Sequence, residues 1–354
     1  MRRLPRLIPI VLAALLGGCA TPTAEQPVDR ASFEPVLVVD RRIVMGVETV
    51  ITTWAPSVEI ARDATRQAFD RLARLEQAIS DYRPRSEAML ATEFVEEDVP
   101  VSADFAAALD VAAGWWRGSD GAIDPTIGPL TALWRDHRRR GAIPDRRSTA
   151  FAGATVGWNK LSVDLAGPTP TIRFRTAAMR LDFGAIGKGL AGDLALATMR
   201  EHGLPRTLVD LGGDVVAGGP PPGRDGWRIS VRTVAWDDEQ VLDLATGAVA
   251  TSGDVEQFVE VVDGDEVRRY GHILDPRTGE PVPIRREATV EVRGGVRPGA
   301  DADALATLAV IAGADAAKEA AGRMGVSASI RTVEARFPGA DPAVPEDWIV
   351  RVVP

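Results

Sequence analysis

One cysteine limits this chain more than any other feature. Among its 354 residues only Cys19 carries a thiol, and it stands at the end of a leader. Arg2, Arg3 and Arg6 give that leader a basic start, and Leu7 to Leu16 follow as a short apolar stretch. The stretch is too short to cross a bilayer and has the layout of a secretory signal. Whatever folds beyond Cys19 has no thiol. Disulfides, zinc–thiolate sites, iron–sulfur clusters and cysteine nucleophiles are therefore excluded together. With 45% hydrophobic and 26% charged residues, the chain has an ordinary globular composition.

Leu16-Gly17-Gly18-Cys19 resembles a bacterial lipobox, in which the cysteine is diacylated on sulfur and becomes the first residue. The other reading is a plain signal peptide cleaved near Ala20. Lipidation would explain an odd cysteine in an exported protein. The expected organisation is a lipoprotein signal peptide over 1–18, a lipidated tether over 19–32 and one domain over 33–354. The tether is polar and carries two prolines between 20 and 32. The expected location is the periplasmic face of a bacterial membrane. The formal net charge of −9 argues against nucleic acid, which needs a basic face. The run Arg138-Arg139-Arg140 is too short to alter that and reads as a solvated loop. An acyl chain, not the acidic body, would supply membrane attachment.

One compact α+β domain is the simplest fold. Val58 to Ile79 reads as a helix with Ile60, Ala64, Ala68, Leu72, Leu75 and Ile79 on one face and Ser57 as N-cap. Asp104 to Trp116, Lys188 to His202 and Ala302 to Ile311 read as further helices, the second ended by Gly203. Pro35 to Asp40, Thr207 to Asp210, Trp227 to Thr233, Phe258 to Val262, Ala288 to Val292 and Trp348 to Val353 read as strands. Asp263-Gly264 suits a hairpin turn.

No Gly-x-Ser-x-Gly, His-Glu-x-x-His or complete P-loop is present. Several glycine-rich polar segments remain, each of which reads equally as an ordinary turn. Ser119 to Pro125 follows a helix. Leu181 to Gly189 runs into a helix whose N-terminus and Lys188 suit an anion. Val209 to Asp214 places two glycines where backbone passes close to something. Thr251-Ser252-Gly253-Asp254 forms a polar corner. With three histidines in the chain, a multi-histidine metal site is improbable. His202 reads as a helix C-terminal residue and His137 as part of an arginine-rich loop. His272 stands at a strand end beside a turn, which suits a general base or a structural hydrogen bond. Asp301, Asp303 and Thr307 share a helix, the last two on one side. As an exposed acid and hydroxyl they could take Mg²⁺, or be an acidic first turn with a back-bonded threonine.

Together these segments resemble the ApbE family of FAD:protein FMN transferases. The resemblance runs from Met45-Gly46 through Ser80–Glu87, Asp120–Leu130 with Leu133-Trp134, Leu181–Gly189, Val209–Asp214, Ala250–Asp254 and His272–Gly279 to Ala302–Thr307. It implies a single α+β domain, related to the T-fold, with mixed or antiparallel sheets and packed helices. It implies that Met45, Tyr82, Ala122, Ile123, Asp124, Asp182, Lys188 and His272 line an FAD site. It implies that the Ala185 carbonyl, Asp303 and Thr307 hold Mg²⁺ near the pyrophosphate. His272 would deprotonate a threonine of a partner protein, for example a membrane redox-complex subunit, which would receive FMN by a phosphoester bond with release of AMP. Val47 and Gly187 depart from the family's more usual threonine and alanine. FAD hydrolysis to FMN and AMP, and flavin binding without catalysis, are the open alternatives.

Overall fold

The computed structural model describes residues 34–231, 240–254, 257–263, 266–335 and 351–353. The chain divides into two units, Met1–Glu34 and Pro35–Pro354. The leader, Cys19 and the 19–32 tether lie outside the described residues, as do Arg232, Thr233, Gly264 and residues 348–350 of the expected strands and turn.

Seven strands form the main sheet, in the spatial order Val36–Val44, Val47–Ala55, Thr207–Leu211, Asp214–Ala217, Gly247–Ser252, Arg285–Arg293 and Ala328–Ala335. Every neighbouring pair is antiparallel. The central strands are buried on both faces, so their sequences are nearly continuous apolar runs. Alternation assigns the faces. Val209, Leu211 and Val216 join the main core under the helices, while Leu208, Val215 and Ala217 join a second core with Trp227, Ile229 and Leu244. That second core belongs to a three-stranded sheet of Trp227–Val231, Gln240–Leu244 and Arg351–Val353. Phe258–Asp263 pairs with Glu266–Gly271 as a hairpin.

Three long helices, Val58–Ile79, Gly187–Glu201 and Pro298–Ala312, supply the main core with Leu72, Leu75, Leu190, Leu196, Leu305 and Leu308. The first matches its expected bounds, and Ser57 accepts from the Ile60 amide. Of the six stripe residues expected, five are buried and Ile60 is 44% exposed, while Ala61, Thr65, Phe69 and Ala78 widen the buried face. The other two helices touch backbone to backbone. A Cβ at Gly189 would stand 2.0 Å from the Gly299 carbonyl oxygen, so only glycine permits this crossing. Asp193 fastens it by accepting the Gly299 and Ala300 amides, each at 2.9 Å.

His137 and Arg138 are not in a loop. They end the helix Gly128–Arg139, which starts with Pro129 in its first turn and places basic residues in its last, where the helix dipole favours them. His202 caps the helix Gly187–Glu201 as expected.

Candidate active site

A cavity of about 860 Å³ opens where the turns of the main sheet meet the starts of the helices, a size suited to a small-molecule site. All eleven cavity residues named by the resemblance line it: Met45, Tyr82, Ala122, Ile123, Asp124, Asp182, Ala185, Lys188, His272, Asp303 and Thr307. They come from separate segments far apart in the chain. Asp301 is not among the lining residues; its carboxylate accepts from Trp115 Nε1 at 3.1 Å. Neither His137 nor His202 lines the cavity.

The Gly189–Gly299 crossing builds one end. It sets the N-terminus of Gly187–Glu201 beside Asp303, whose Oδ2 accepts the Gly189 amide at 3.0 Å. The ordinary helical acceptor of that amide would be the Ala185 carbonyl, four residues back. Lys188 Nζ pairs with Asp214 Oδ2 at 2.5 Å, and Thr307 Oγ1 lies 3.2 Å from Ser252 Oγ. Asp303 is 2% exposed, not the exposed acid expected. Burial and then the neighbouring Asp214 carboxylate raise its pKa, so the ionised form needs a nearby cation. The donors here are carboxylate, hydroxyl and carbonyl oxygens, which suit a hard cation such as Mg²⁺. Among the described residues no group of three or more His, Cys, Asp or Glu could hold a metal by itself. A cation held here would rely on phosphate oxygens and water for the rest of its shell. The residues present fit that arrangement.

His272 occupies the wall between this end and the helix Gly128–Arg139. Burial, and then the Arg138 cation, push its pKa down to about 4. Its ring donates to the Gln257 carbonyl, while among the described residues Nδ1 has no hydrogen-bond partner. The imidazole is therefore neutral at ordinary pH.

The opposite end is aromatic. Tyr82 is 63% exposed and lies under the Arg135 guanidinium, whose Cζ is 3.9 Å from the ring centroid. Arg135 also pairs with Asp81 at 2.6 Å and approaches Asp182 at 3.8 Å. Asp182 accepts from Thr131 Oγ1 and from the Gly184 amide, both at 2.7 Å. Asp124 accepts the Thr126 amide at 2.9 Å and the Trp158 amide at 3.2 Å. Both acids line the cavity while fastening its loops. Sequence reasoning misses Arg135 and Arg138 as cavity residues. Their spacing of three on a helix is the available signal, but the segment reads as a loop until its helix is seen.

The ApbE family model matches residues 45–330. The chain belongs to the ApbE family. An FAD:protein FMN transferase of Treponema pallidum is 30% identical over 275 residues, covering 73% of this chain and 73% of that relative. The ApbE protein of Thermotoga maritima shares the fold with a TM-score of 0.70 at 28% identity, covering 83% of this chain and 94% of that one. A flavin transferase ApbE from Vibrio cholerae aligns with a TM-score of 0.72 at 22% identity, covering 85% and 97%. The segments read from the sequence as ApbE-like thus fall in an ApbE fold. The departure at Gly187 is sterically mild, since an added Cβ would meet Met45 Cε at 3.4 Å, an ordinary contact.

Proposed function

We propose that this ApbE-family chain is an FAD:protein FMN transferase that binds FAD in the 860 Å³ cavity and passes FMN to a threonine hydroxyl of an acceptor protein. The observation that carries the reading is His272, a buried neutral imidazole that lines the cavity and whose Nδ1 has no hydrogen-bond partner among the described residues. A threonine hydroxyl is a weak nucleophile and needs such a base. The hydroxyl proton passes to His272 Nδ1 as the oxygen attacks the FMN-side phosphorus. The bridging P–O bond breaks and AMP departs with the electron pair.

The Lys188 ammonium, in the first turn of Gly187–Glu201 where the helix dipole also favours negative charge, would counter the pyrophosphate charge. Tyr82, braced by Arg135, offers a ring face to an aromatic ring of the substrate. When bound, Mg²⁺ neutralises pyrophosphate charge, and Asp303, Thr307 and the Ala185 carbonyl are the groups that would hold it. Cys19 carries the lipid after removal of residues 1–18, residues 19–32 tether the domain, and the domain works at the periplasmic face of a bacterial membrane.

Purified protein incubated with FAD, Mg²⁺ and a threonine-bearing candidate acceptor tests this. The expected result is in-gel flavin fluorescence on the acceptor together with AMP. AMP without labelled acceptor would instead indicate a hydrolase, and tight FAD binding without AMP a binding protein.

A further inference from the structure

Residues 135–147 hold six arginines against two aspartates in a chain of net charge −9. Arg138 lines the cavity, half-buried, with Gln257 Oε1 at 2.9 Å as its hydrogen-bond partner. The other cavity-lining cations with long side chains are matched by acids: Arg83 by Glu76, Arg135 by Asp81 and Lys188 by Asp214. Among the described residues Arg138 has no such carboxylate.

The basic character continues outward. Arg139, Arg146 and Arg147 are exposed on the end of the helix Gly128–Arg139 and the start of the helix Arg146–Gly153. The two helices share a small core of Leu130, Trp134 and Ala152. The nearby acids are already engaged: Asp136 pairs with Arg140, and Asp145 accepts the Ser148 amide at 2.8 Å. Two apolar side chains sit among these cations, Ile143 at 37% and Phe151 at 75% exposure. A charged rim with an exposed aromatic suits recognition of another chain.

We propose that this arginine surface, leading inward to Arg138, docks an acidic segment of the acceptor protein. The proposal rests on the reading of the chain as a transferase acting on a protein. Charge argues for the occupant. The patch sets a local excess of positive charge on an acidic chain, and it ends at the cavity wall that also holds His272. A segment docked on Arg139, Arg146 and Arg147 delivers its neighbouring hydroxyl past Arg138 toward the base.

The test uses the full chain in neutral detergent and two synthetic peptides that differ only in the residues around a single threonine, glutamates in one and lysines in the other. The glutamate peptide is expected to bind about tenfold more tightly, with a preference that shrinks as salt rises. The variant Arg139→Gln/Arg146→Gln/Arg147→Gln is expected to lose that preference while still binding FAD, read by flavin fluorescence anisotropy. Equal binding of the two peptides, or a preference that survives the triple substitution, overturns the proposal. So does a loss confined to phosphatidylglycerol vesicles, which would assign the surface to lipid. If the triple variant fails to bind FAD, Arg147→Glu alone carries the test: a preference reduced about threefold supports the surface, and an unchanged one overturns it. Flavin transfer to protein acceptors is scored separately. Its absence, with the peptide preference intact, counts against the transferase reading and not against the acidic-segment site.

Discussion

At the scale of single residues, His272 and Asp303 respond to pH in opposite ways. Burial lowers the pKa of His272 to about 4, so the base form persists well below the range of a free imidazole. At saturating Mg²⁺ the acid limb of kcat/KM for FAD should therefore inflect near pH 4 and not near the 6.5 of an ordinary histidine. A limb at the ordinary value would show that the free enzyme does not bury its base. Asp303 is raised by burial and by Asp214, and its protonated form cannot hold a cation. Lowering Mg²⁺ should move the acid limb to higher pH, and the shift should vanish in Asp303→Asn. Replacing His272 by alanine should cut the rate of AMP release by roughly 10²–10⁴-fold, the usual worth of a positioned acid–base group. Sequence can name these residues because glycine-rich punctuation and a lone histidine beside a turn are local features. Their burial is not legible there, because the second wall around Asp303 comes from Lys188 and Gly189, far away in the chain. Arg138 escapes notice for the same reason: its meaning depends on being the cavity-wall cation without an acid partner among the described residues.

At the scale of elements, the crossing of Gly187–Glu201 over Pro298–Ala312 positions the anion end. Gly189→Ala would drive a methyl into the Gly299 carbonyl, a backbone atom that cannot rotate aside. It should cost about 1–3 kcal/mol in urea unfolding and reduce Mg²⁺ affinity, because Asp303 moves with its helix. Gly187→Ala on the same helix meets only side-chain atoms, none closer than 3.4 Å. It should leave stability unchanged or raise it by up to about 1 kcal/mol. Equal effects from the two substitutions would contradict this account of the crossing. The helix Val58–Ile79 is readable to the residue because a polar cap and an apolar period agree. The helix Gly128–Arg139 is not, since its basic last turn looks polar all round until Leu130 and Trp134 pack with Leu274. The central strands show the complementary limit. Strands buried on two faces lose the alternation that marks a strand, so in sequence Asp214 reads only as the end of a glycine-rich turn and not as the start of Asp214–Ala217.

At the scale of the whole molecule, the proposed lipid anchor and catalysis should be separable. The main sheet, its helices and every cavity residue lie within Pro35–Pro354. Cys19→Ser should release the protein from the membrane fraction and leave FAD cleavage in detergent extracts unchanged, which fractionation and an AMP assay would check. A variant that stays membrane-bound would remove the lipid assignment without touching the active site. The central claim is that one cavity couples FAD cleavage to covalent flavin transfer through His272. Mass spectrometry of an acceptor protein after incubation with FAD and Mg²⁺ tests it most directly, comparing the wild-type chain with His272→Ala. The account requires a mass gain of FMN less water on one threonine, matched by released AMP, with both strongly reduced in His272→Ala. AMP and labelled threonine appearing equally fast with His272→Ala, or a flavin attached to any other kind of residue, would contradict it.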